Sequence, residues 1–139
     1  MLVFQVFGAF CSAPWSDRFK NRHNVNAYFG TGETFLFSLR PTVAQYPWVG
    51  IQRFGYTGDV LGSICSVSDG GKNTSHTSQL FMSASQKFIS VGAGNGIGLY
   101  LDENLTKGKS ETCDTFCNKP LATGTDFVAS TIEVIGFVS

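Results

Sequence analysis

The sequence has little charge and almost no helical patterning. Of its 139 residues only 14% are charged, and ten basic and ten acidic side chains cancel to a formal net charge of zero. A general binder of the phosphate backbone is expected to be basic, so the composition argues against a nucleic-acid partner. No window repeats apolar residues at helical spacing over several turns, which argues against a helical bundle.

A long apolar segment and a basic leader are also missing. The stretch from Leu2 to Phe10 is apolar, but Gln5 interrupts it, and it is far too short to span a bilayer. We therefore expect no transmembrane segment and a cytoplasmic location. In that reducing compartment the cysteines are expected to be free thiols, namely Cys11, Cys65, Cys113 and Cys117.

Short apolar runs bounded by turn residues are abundant instead. The 42% hydrophobic content, with 13 Phe, is enough for one core in a chain of this length. We predict strands at Leu2–Phe10, Thr34–Leu39, Tyr46–Gln52, Leu80–Met82, Phe88–Val91, Ile97–Leu101 and Thr131–Val138. This pattern is typical of a mainly β protein, a two-layer antiparallel β-sandwich, so we expect a single domain over residues 1–139. A helical turn is predicted to start at Pro14.

One glycine-rich stretch, Gly92–Gly98, raises the question of a nucleotide-binding loop. Glycines let main-chain amides approach a phosphate, but such loops lead into a helix whose N-terminus holds the anion. Here the stretch joins the predicted strand Phe88–Val91 to another strand and contains no Gly-Lys-Ser/Thr. We predict a hairpin connection in which alternate glycines, Gly94 and Gly96 above all, permit positive φ or a close approach of the backbone.

Residues for metal binding or catalysis are sparse. Cys113 and Cys117 lack the second closely spaced ligand pair of a structural zinc site, and His23 and His76 lie far apart in the sequence. There is no Gly-x-Ser-x-Gly nucleophile motif. Glu33 has no second carboxylate nearby, so we expect it to bond loop amides. The sequence thus predicts no enzyme, no metal and no cofactor.

Two alternative functions rest on particular side chains. The first is a redox-active or peroxide-responsive protein that acts through Cys113, because the flanking Lys109 and Lys119 would lower the thiol pKa. The second is a module that binds phosphoinositides or another anionic membrane surface. Its contacts would be three basic residues, Arg18, Lys20 and Arg22.

Five segments, in this order, resemble the TLDc domain family over nearly the whole chain. They are Val6–Phe10, Tyr28–Phe37, Gly92–Asp102, Cys113–Leu121 and Ile132–Phe137. The amino-acid sequence of the first segments, together with Tyr46–Gly50, is most similar to that of the Skywalker-type branch, in which a TBC domain precedes the TLDc domain. The family-motif positions, structural or interacting, are Gly8, Gly30, Gly32, Glu33, Gly92, Gly94, Gly96, Gly98, Asp102, Cys113, Phe116, Asn118 and Gly136.

The resemblance implies a β-sandwich with a few short helices and no established catalytic activity. It also implies protection against oxidative stress and binding to the vacuolar proton pump, the V-ATPase. For the Skywalker-type branch it implies synaptic-vesicle and endosomal trafficking with Rab GTPases. The implied location is cytoplasmic and peripheral on vesicle, endosomal or lysosomal membranes.

Two departures from the family pattern accompany the resemblance. The family usually has Trp where Ile135 stands, and Asn or Gly where Cys117 stands. The chain also opens at a strand that lies well inside the domain in the family. We therefore expect the N-terminal part of the domain to be absent, which would leave an exposed edge or an unfilled groove on the sandwich.

Overall fold

Strands supply most of the regular structure in the computed structural model, which describes residues 4–20, 28–52 and 78–138. The strands in these ranges are β1 Val6–Phe10, β2 Phe35–Arg40, β3 Ala44–Pro47, β4 Met82–Ala84, β5 Phe88–Val91, β6 Leu99–Asp102, β7 Lys107–Lys109 and β8 Asp126–Val128. A 3₁₀ helix covers Trp15–Phe19, and a one-turn helix, α1, covers Val49–Gln52. Within the described residues no helix is long and apolar enough to cross a bilayer.

The strands form two antiparallel sheets. Sheet A has the order β1-β2-β3, and sheet B has the order β4-β5-β6-β7-β8. An antiparallel bridge between Phe29 and Met82, with main-chain hydrogen bonds of 2.9 and 3.0 Å, joins the segment before β2 to sheet B. The predicted two-layer antiparallel β-sandwich with few helices is thereby confirmed.

One hydrophobic core lies between the sheets. Sheet A contributes Leu36 and Tyr46, and sheet B contributes Met82 and Val91. Phe116, from the connection between β7 and β8, completes the core and is only 1% exposed. Because alternate residues of a strand point to opposite faces, Phe35 and Phe37 lie on the face of β2 away from Leu36, as their spacing predicts.

Two predicted strands are wrong in part or in whole. The run Tyr46–Gln52 divides, since β3 ends at Pro47 and α1 begins two residues later. Proline has no N–H for a strand ladder, which suits it to a strand end. The run Thr131–Val138 forms no strand, and most of its large apolar side chains are exposed. Strand propensity is expressed only where a partner strand is available.

The sequence reasoning also missed two strands and misplaced one helix start. The strands β7 and β8 are three residues each and contain charged residues, so neither shows an apolar run. They pair because the neighbouring strand supplies the ladder. Pro14 is the extended residue directly before the 3₁₀ helix rather than its first residue.

Candidate functional site

The stretch Gly92–Gly98, here called the glycine loop, is a hairpin connection. It links β5 to β6, which pair antiparallel from Val91–Leu99 to Phe88–Asp102. Gly94 has a φ of +98°, a conformation that residues with side chains rarely adopt. A Cβ at Gly96 would lie 2.3 Å from the carbonyl oxygen of Thr112. The predicted positive φ and the close backbone approach are both present.

The glycine loop packs against Cys113–Asn118, here called the motif turn. The amide of Asp114 donates to the carbonyl of Gly94 at 2.9 Å, and the amide of Thr115 donates to the carbonyl of Ala93 at 3.3 Å. The Thr115 hydroxyl also donates to Ala93 at 2.9 Å. Main chain and side chain of the motif turn therefore hold the loop in place.

Several amides that a phosphate would need are already used inside the protein. Gly92 donates to the carbonyl of Phe81 at 2.8 Å, and Gly98 donates to the carbonyl of Gly92 at 3.0 Å. The amide of Ala93 donates to the Thr115 hydroxyl at 3.3 Å, and that of Ile97 donates to the Glu111 carboxylate at 3.4 Å. These four amides, at the two ends of the loop, are therefore committed to partners within the protein and are not free to bind an anion.

Asn118 closes the motif turn from inside the protein. Its side chain is fully buried, and its Nδ2 donates to the carbonyls of Glu111 and Lys119, each at 2.9 Å. Its Oδ1 accepts from the amide of Cys113 at 3.3 Å and from the Cys113 thiol at 3.2 Å. Every polar atom of the buried amide is thus satisfied, as a buried polar group requires.

Cys113 does not have the environment of a reactive thiol. It is 1% exposed, and burial raises the pKa of its thiol from 9.0 to about 11. The lowered pKa expected from Lys109 and Lys119 is therefore wrong, because removal of the thiolate from water outweighs the hydrogen bonds that favour it. Burial likewise raises the pKa of the Cys11 thiol to about 11.

The expectation of four free thiols is wrong for Cys117, which is disulfide-bonded. Cys11 and Cys113 are free. Cys65 lies outside the described residues, as do both histidines, His23 and His76. Within the residues that are described, no three His, Cys, Asp or Glu side chains come together in a way that would hold a metal ion.

Trp48 explains two glycines whose roles the sequence reasoning did not identify. A Cβ at Gly32 would lie 2.4 Å from the indole of Trp48, and a Cβ at Gly50 would lie 2.3 Å from it. The indole also packs edge to face on Phe81 and donates to the carbonyl of Ser78 at 2.8 Å. The glycines make room for this ring, and the sequence signal for the closer of the two is a Gly two residues after a Trp.

Glu33 and Gly30 occupy the turn before β2. Glu33 is exposed, and its amide, rather than its carboxylate, bonds Thr31 Oγ1 at 3.4 Å. Among the described residues its carboxylate makes no hydrogen bond, so the loop-amide role of that side chain stays a prediction. Gly30 has a φ of +92° and lies against Met82, so its position serves the backbone path.

Asp102 organises the β6–β7 turn. Its Oδ1 accepts from the amides of Thr106 at 3.0 Å and Lys107 at 3.3 Å, and the amide of Leu105 donates to its carbonyl at 3.0 Å. The hydrogen bond from Thr106 is the main cause that holds the pKa of Asp102 below its usual value. This family-motif residue therefore has a structural role that needs no ligand.

The basic residues of the 3₁₀ helix are engaged with their own neighbours. Lys20 pairs with Asp17 at 3.0 Å. Arg18 donates to the carbonyl of Trp15 at 2.9 Å, and its guanidinium lies 4.0 Å over the ring of Phe19. Arg22 lies outside the described residues. The structure does not bring Arg18 and Lys20 together as a free cationic patch.

The remaining motif glycines lie at opposite extremes of packing. A Cβ at Gly8 would lie 2.9 Å from the ring of Phe37, and a Cβ at Gly98 would lie 2.7 Å from Leu36. A Cβ at Gly136 would have nothing within 4 Å. Nothing in the described structure explains the glycine at position 136.

The comparisons with known proteins show similarity over nearly the whole chain. The sequence profile described as the TLDc domain matches residues 4–138. The chain is 44% identical over 136 residues to "GTPase-activating protein skywalker" of Drosophila melanogaster. It is 37% identical over 160 residues to "TBC1 domain family member 24" of Xenopus laevis, and 31% identical over 134 residues to "Oxidation resistance protein 1" of Xenopus tropicalis.

These relatives are much longer proteins. Each of the three alignments covers 96% of this chain but only 20%, 27% and 12% of the respective relative. The similarity therefore concerns one domain-sized part of each relative, and it includes both the glycine loop and the motif turn.

Proposed function

Because the chain belongs to the TLDc domain family, we propose that it is a non-enzymatic, single-domain interaction module that binds the vacuolar proton pump or Rab-linked vesicle-trafficking machinery. One observation carries the proposal. Among the described residues, the motif positions bond to one another and to the core, and no nucleophile, base and orienting group converge. A domain of this kind acts through the surface that its framework supports.

The names of two relatives support a role in trafficking and in protection against oxidative stress. One relative is called a GTPase-activating protein and another an oxidation resistance protein. In our proposal the present chain contributes to such processes by binding proteins at the cytoplasmic face of vesicle, endosomal or lysosomal membranes. Protection is then indirect and needs no peroxide chemistry at a cysteine.

The redox alternative is disfavoured by the surroundings of Cys113. A thiol with a pKa near 11 is almost wholly protonated at neutral pH, and the thiolate is the species that attacks peroxide. At 1% exposure the sulfur is also shielded from solvent. We therefore expect Cys113→Ser to leave protection in cells unchanged.

The membrane alternative is disfavoured by the contacts of Arg18 and Lys20. Lys20 is paired with Asp17. The side chains of Asp17, Arg18 and Lys20 together therefore carry a net charge of only about +1. Flotation of the chain with liposomes that contain phosphoinositide tests this alternative. Binding that persists in low salt and disappears in high salt would favour it over our proposal.

Binding of the purified chain to purified vacuolar proton pump is the direct test. We expect saturable binding with a dissociation constant in the range of about 1 µM or tighter. The control is Cys113→Ser, which preserves a hydrogen-bond donor to Asn118 and should bind equally well. A matched titration with GTP-loaded Rab GTPases tests the trafficking branch. Absence of binding to both the pump and the Rab proteins would contradict the proposal.

A further inference from the structure

Asn95 is the only asparagine of the chain that is followed directly by a glycine. The side-chain amide of such an asparagine is open to attack by the main-chain nitrogen of the next residue, because glycine has no Cβ to shield that nitrogen or to restrict the backbone. Asn95 and Gly96 lie in the glycine loop, and Asn95 is exposed. The chain therefore carries a chemically labile asparagine at a position that water reaches.

The folded loop holds both the main chain and the side chain of Asn95. Its φ is +54°, in the left-handed region, and the carbonyl of the preceding residue, Gly94, accepts from the amide of Asp114 at 2.9 Å. Its side-chain Nδ2 donates to the Asp114 carboxylate at 3.0 Å. Asp114 therefore fastens the loop on both sides of the Asn95 main chain and holds the amide group that would have to leave in the reaction.

We propose that Asn95 is a site of spontaneous deamidation and that Asp114 protects it in the folded domain. When the loop opens locally, the Gly96 main-chain nitrogen bonds to Cγ of Asn95, and Nδ2 leaves as ammonia with the proton from that nitrogen. Water then opens the resulting succinimide. Cleavage between the nitrogen and Cγ gives aspartate, and cleavage between the nitrogen and the main-chain carbonyl carbon gives isoaspartate. No oxidant or reductant takes part.

Either product changes the contact between the glycine loop and the motif turn. A carboxylate at position 95 meets the Asp114 carboxylate where the Asn95 amide now donates, so an attraction becomes a repulsion between like charges. Isoaspartate also adds one main-chain carbon to a loop with little space, since a Cβ at Gly96 would lie 2.3 Å from the carbonyl oxygen of Thr112. Deamidation therefore loosens the loop, whichever protein the domain binds.

The repulsion is tested with Asn95→Asp, which has the product's charge and an unaltered main chain. Its melting temperature at neutral pH should lie below that of the wild type. The matched control is Asn95→Ala, which removes the same hydrogen bond without adding a charge and should melt between the two. Equal melting temperatures for Asn95→Asp and Asn95→Ala would overturn the proposed repulsion between the product and Asp114.

The protection by Asp114 is tested with two substitutions of that residue, incubated in neutral buffer without denaturant. Asp114→Ala removes the acceptor but keeps the Cβ that lies beside Gly94, and we expect deamidation at Asn95 to be about threefold faster than in the wild type. Asp114→Asn keeps an acceptor oxygen and should match the wild type. Urea unfolding checks that both variants are folded. An unchanged rate in Asp114→Ala, or equal rates in the two variants, would overturn the role of Asp114.

Peptide mapping by mass spectrometry of the wild-type chain tests the site itself, since it detects deamidation at each asparagine. We expect Asn95 to react faster in urea than in the folded protein by about tenfold or more, because the folded loop must first open. Asn104 is the internal reference, being exposed but followed by the branched Leu105, and should react more slowly than Asn95 in urea. Equal rates for Asn95 and Asn104 in urea would overturn the site, and equal rates for Asn95 with and without urea would overturn its protection.

Discussion

Two regions of the sandwich differ in how many hydrogen bonds their main chains make to other described residues. The glycine loop and the motif turn exchange main-chain and side-chain hydrogen bonds, and the polar side chains buried there have partners. In Thr131–Val138, by contrast, the main chain makes no hydrogen bond to another described residue, and the large apolar side chains are exposed. The first region is a closed part of the core, whereas the second presents apolar side chains at the surface.

This difference separates residues that hold the fold from residues that are available for binding. A backbone amide that already donates to a carbonyl cannot also bind a phosphate without losing that bond. The motif positions that invite a catalytic or nucleotide-binding interpretation, such as Gly92, Gly98 and Asn118, therefore have a role in packing.

The largest expected effect on the unfolding free energy comes from replacing a glycine by valine in the glycine loop, compared with the same replacement in Thr131–Val138. Gly92→Val places a Cβ 2.6 Å from the ring of Phe116 at a φ of +81°, and we expect it to cost more than about 2 kcal/mol of unfolding free energy. Gly136→Val, where nothing lies within 4 Å, should change it by less than about 0.5 kcal/mol. Urea unfolding of both variants measures the contrast. An equal loss of unfolding free energy in the two variants would contradict the distinction between the glycine loop and Thr131–Val138.

A smaller effect is expected from removal of the buried amide at Asn118. Asn118→Ala leaves the carbonyls of Glu111 and Lys119 without their donor, and we expect a loss of roughly 2 kcal/mol. The control is Asn95→Ala, which removes an exposed hydrogen bond to Asp114 and should cost under about 1 kcal/mol. If Asn118→Ala leaves the unfolding free energy unchanged, the hydrogen bonds of the buried Asn118 side chain do not stabilise the motif turn.

The sequence alone predicts the sandwich because alternation and turn residues report directly on local geometry. Phe35 and Phe37 could be assigned to one face, and the glycine loop to a hairpin, without knowledge of distant contacts. The pKa of Cys113 could not be predicted in the same way. Its flanking lysines are visible in the sequence, whereas the burial that dominates its ionisation depends on residues from both sheets.

Two other features depend on contacts between residues far apart in the chain. The space that Gly32 leaves for Trp48 follows from the turn before β2 meeting the residue after β3. Thr131–Val138 has strand composition, yet whether it pairs depends on an available edge. Local propensity therefore predicts what a segment can form, and the tertiary arrangement decides what it does form.

A third prediction concerns the reactivity of Cys113 in the motif turn. With a pKa raised from 9.0 to about 11, its thiolate population at neutral pH should be lower by a factor of about 100, and burial should slow alkylation further. Iodoacetamide labelling followed by mass spectrometry, in native buffer and in denaturant, measures the ratio. Native labelling as fast as in denaturant would restore the redox alternative.

The smallest effect is expected at the exposed turn that Asp102 organises. Hydrogen bonds from Thr106 and Lys107 lower its folded-state pKa below 3.8, so their stabilisation is present above that pH and is lost as pH falls through the folded-state pKa. The melting-temperature difference between wild type and Asp102→Asn should therefore shrink from pH 7 to acid. A difference that grows on acidification would reverse the assigned sign.

Substitutions in the glycine loop provide the most direct test of the claim that this loop has a structural role. Thermal melts of the wild type, Gly94→Val and Gly96→Val are measured with and without saturating ATP or NAD. The account predicts that both variants melt well below the wild type and that neither nucleotide shifts any of the three curves. A nucleotide-dependent rise in the wild-type melting temperature, absent from the variants, would contradict it, because a ligand that binds the native state raises its apparent stability.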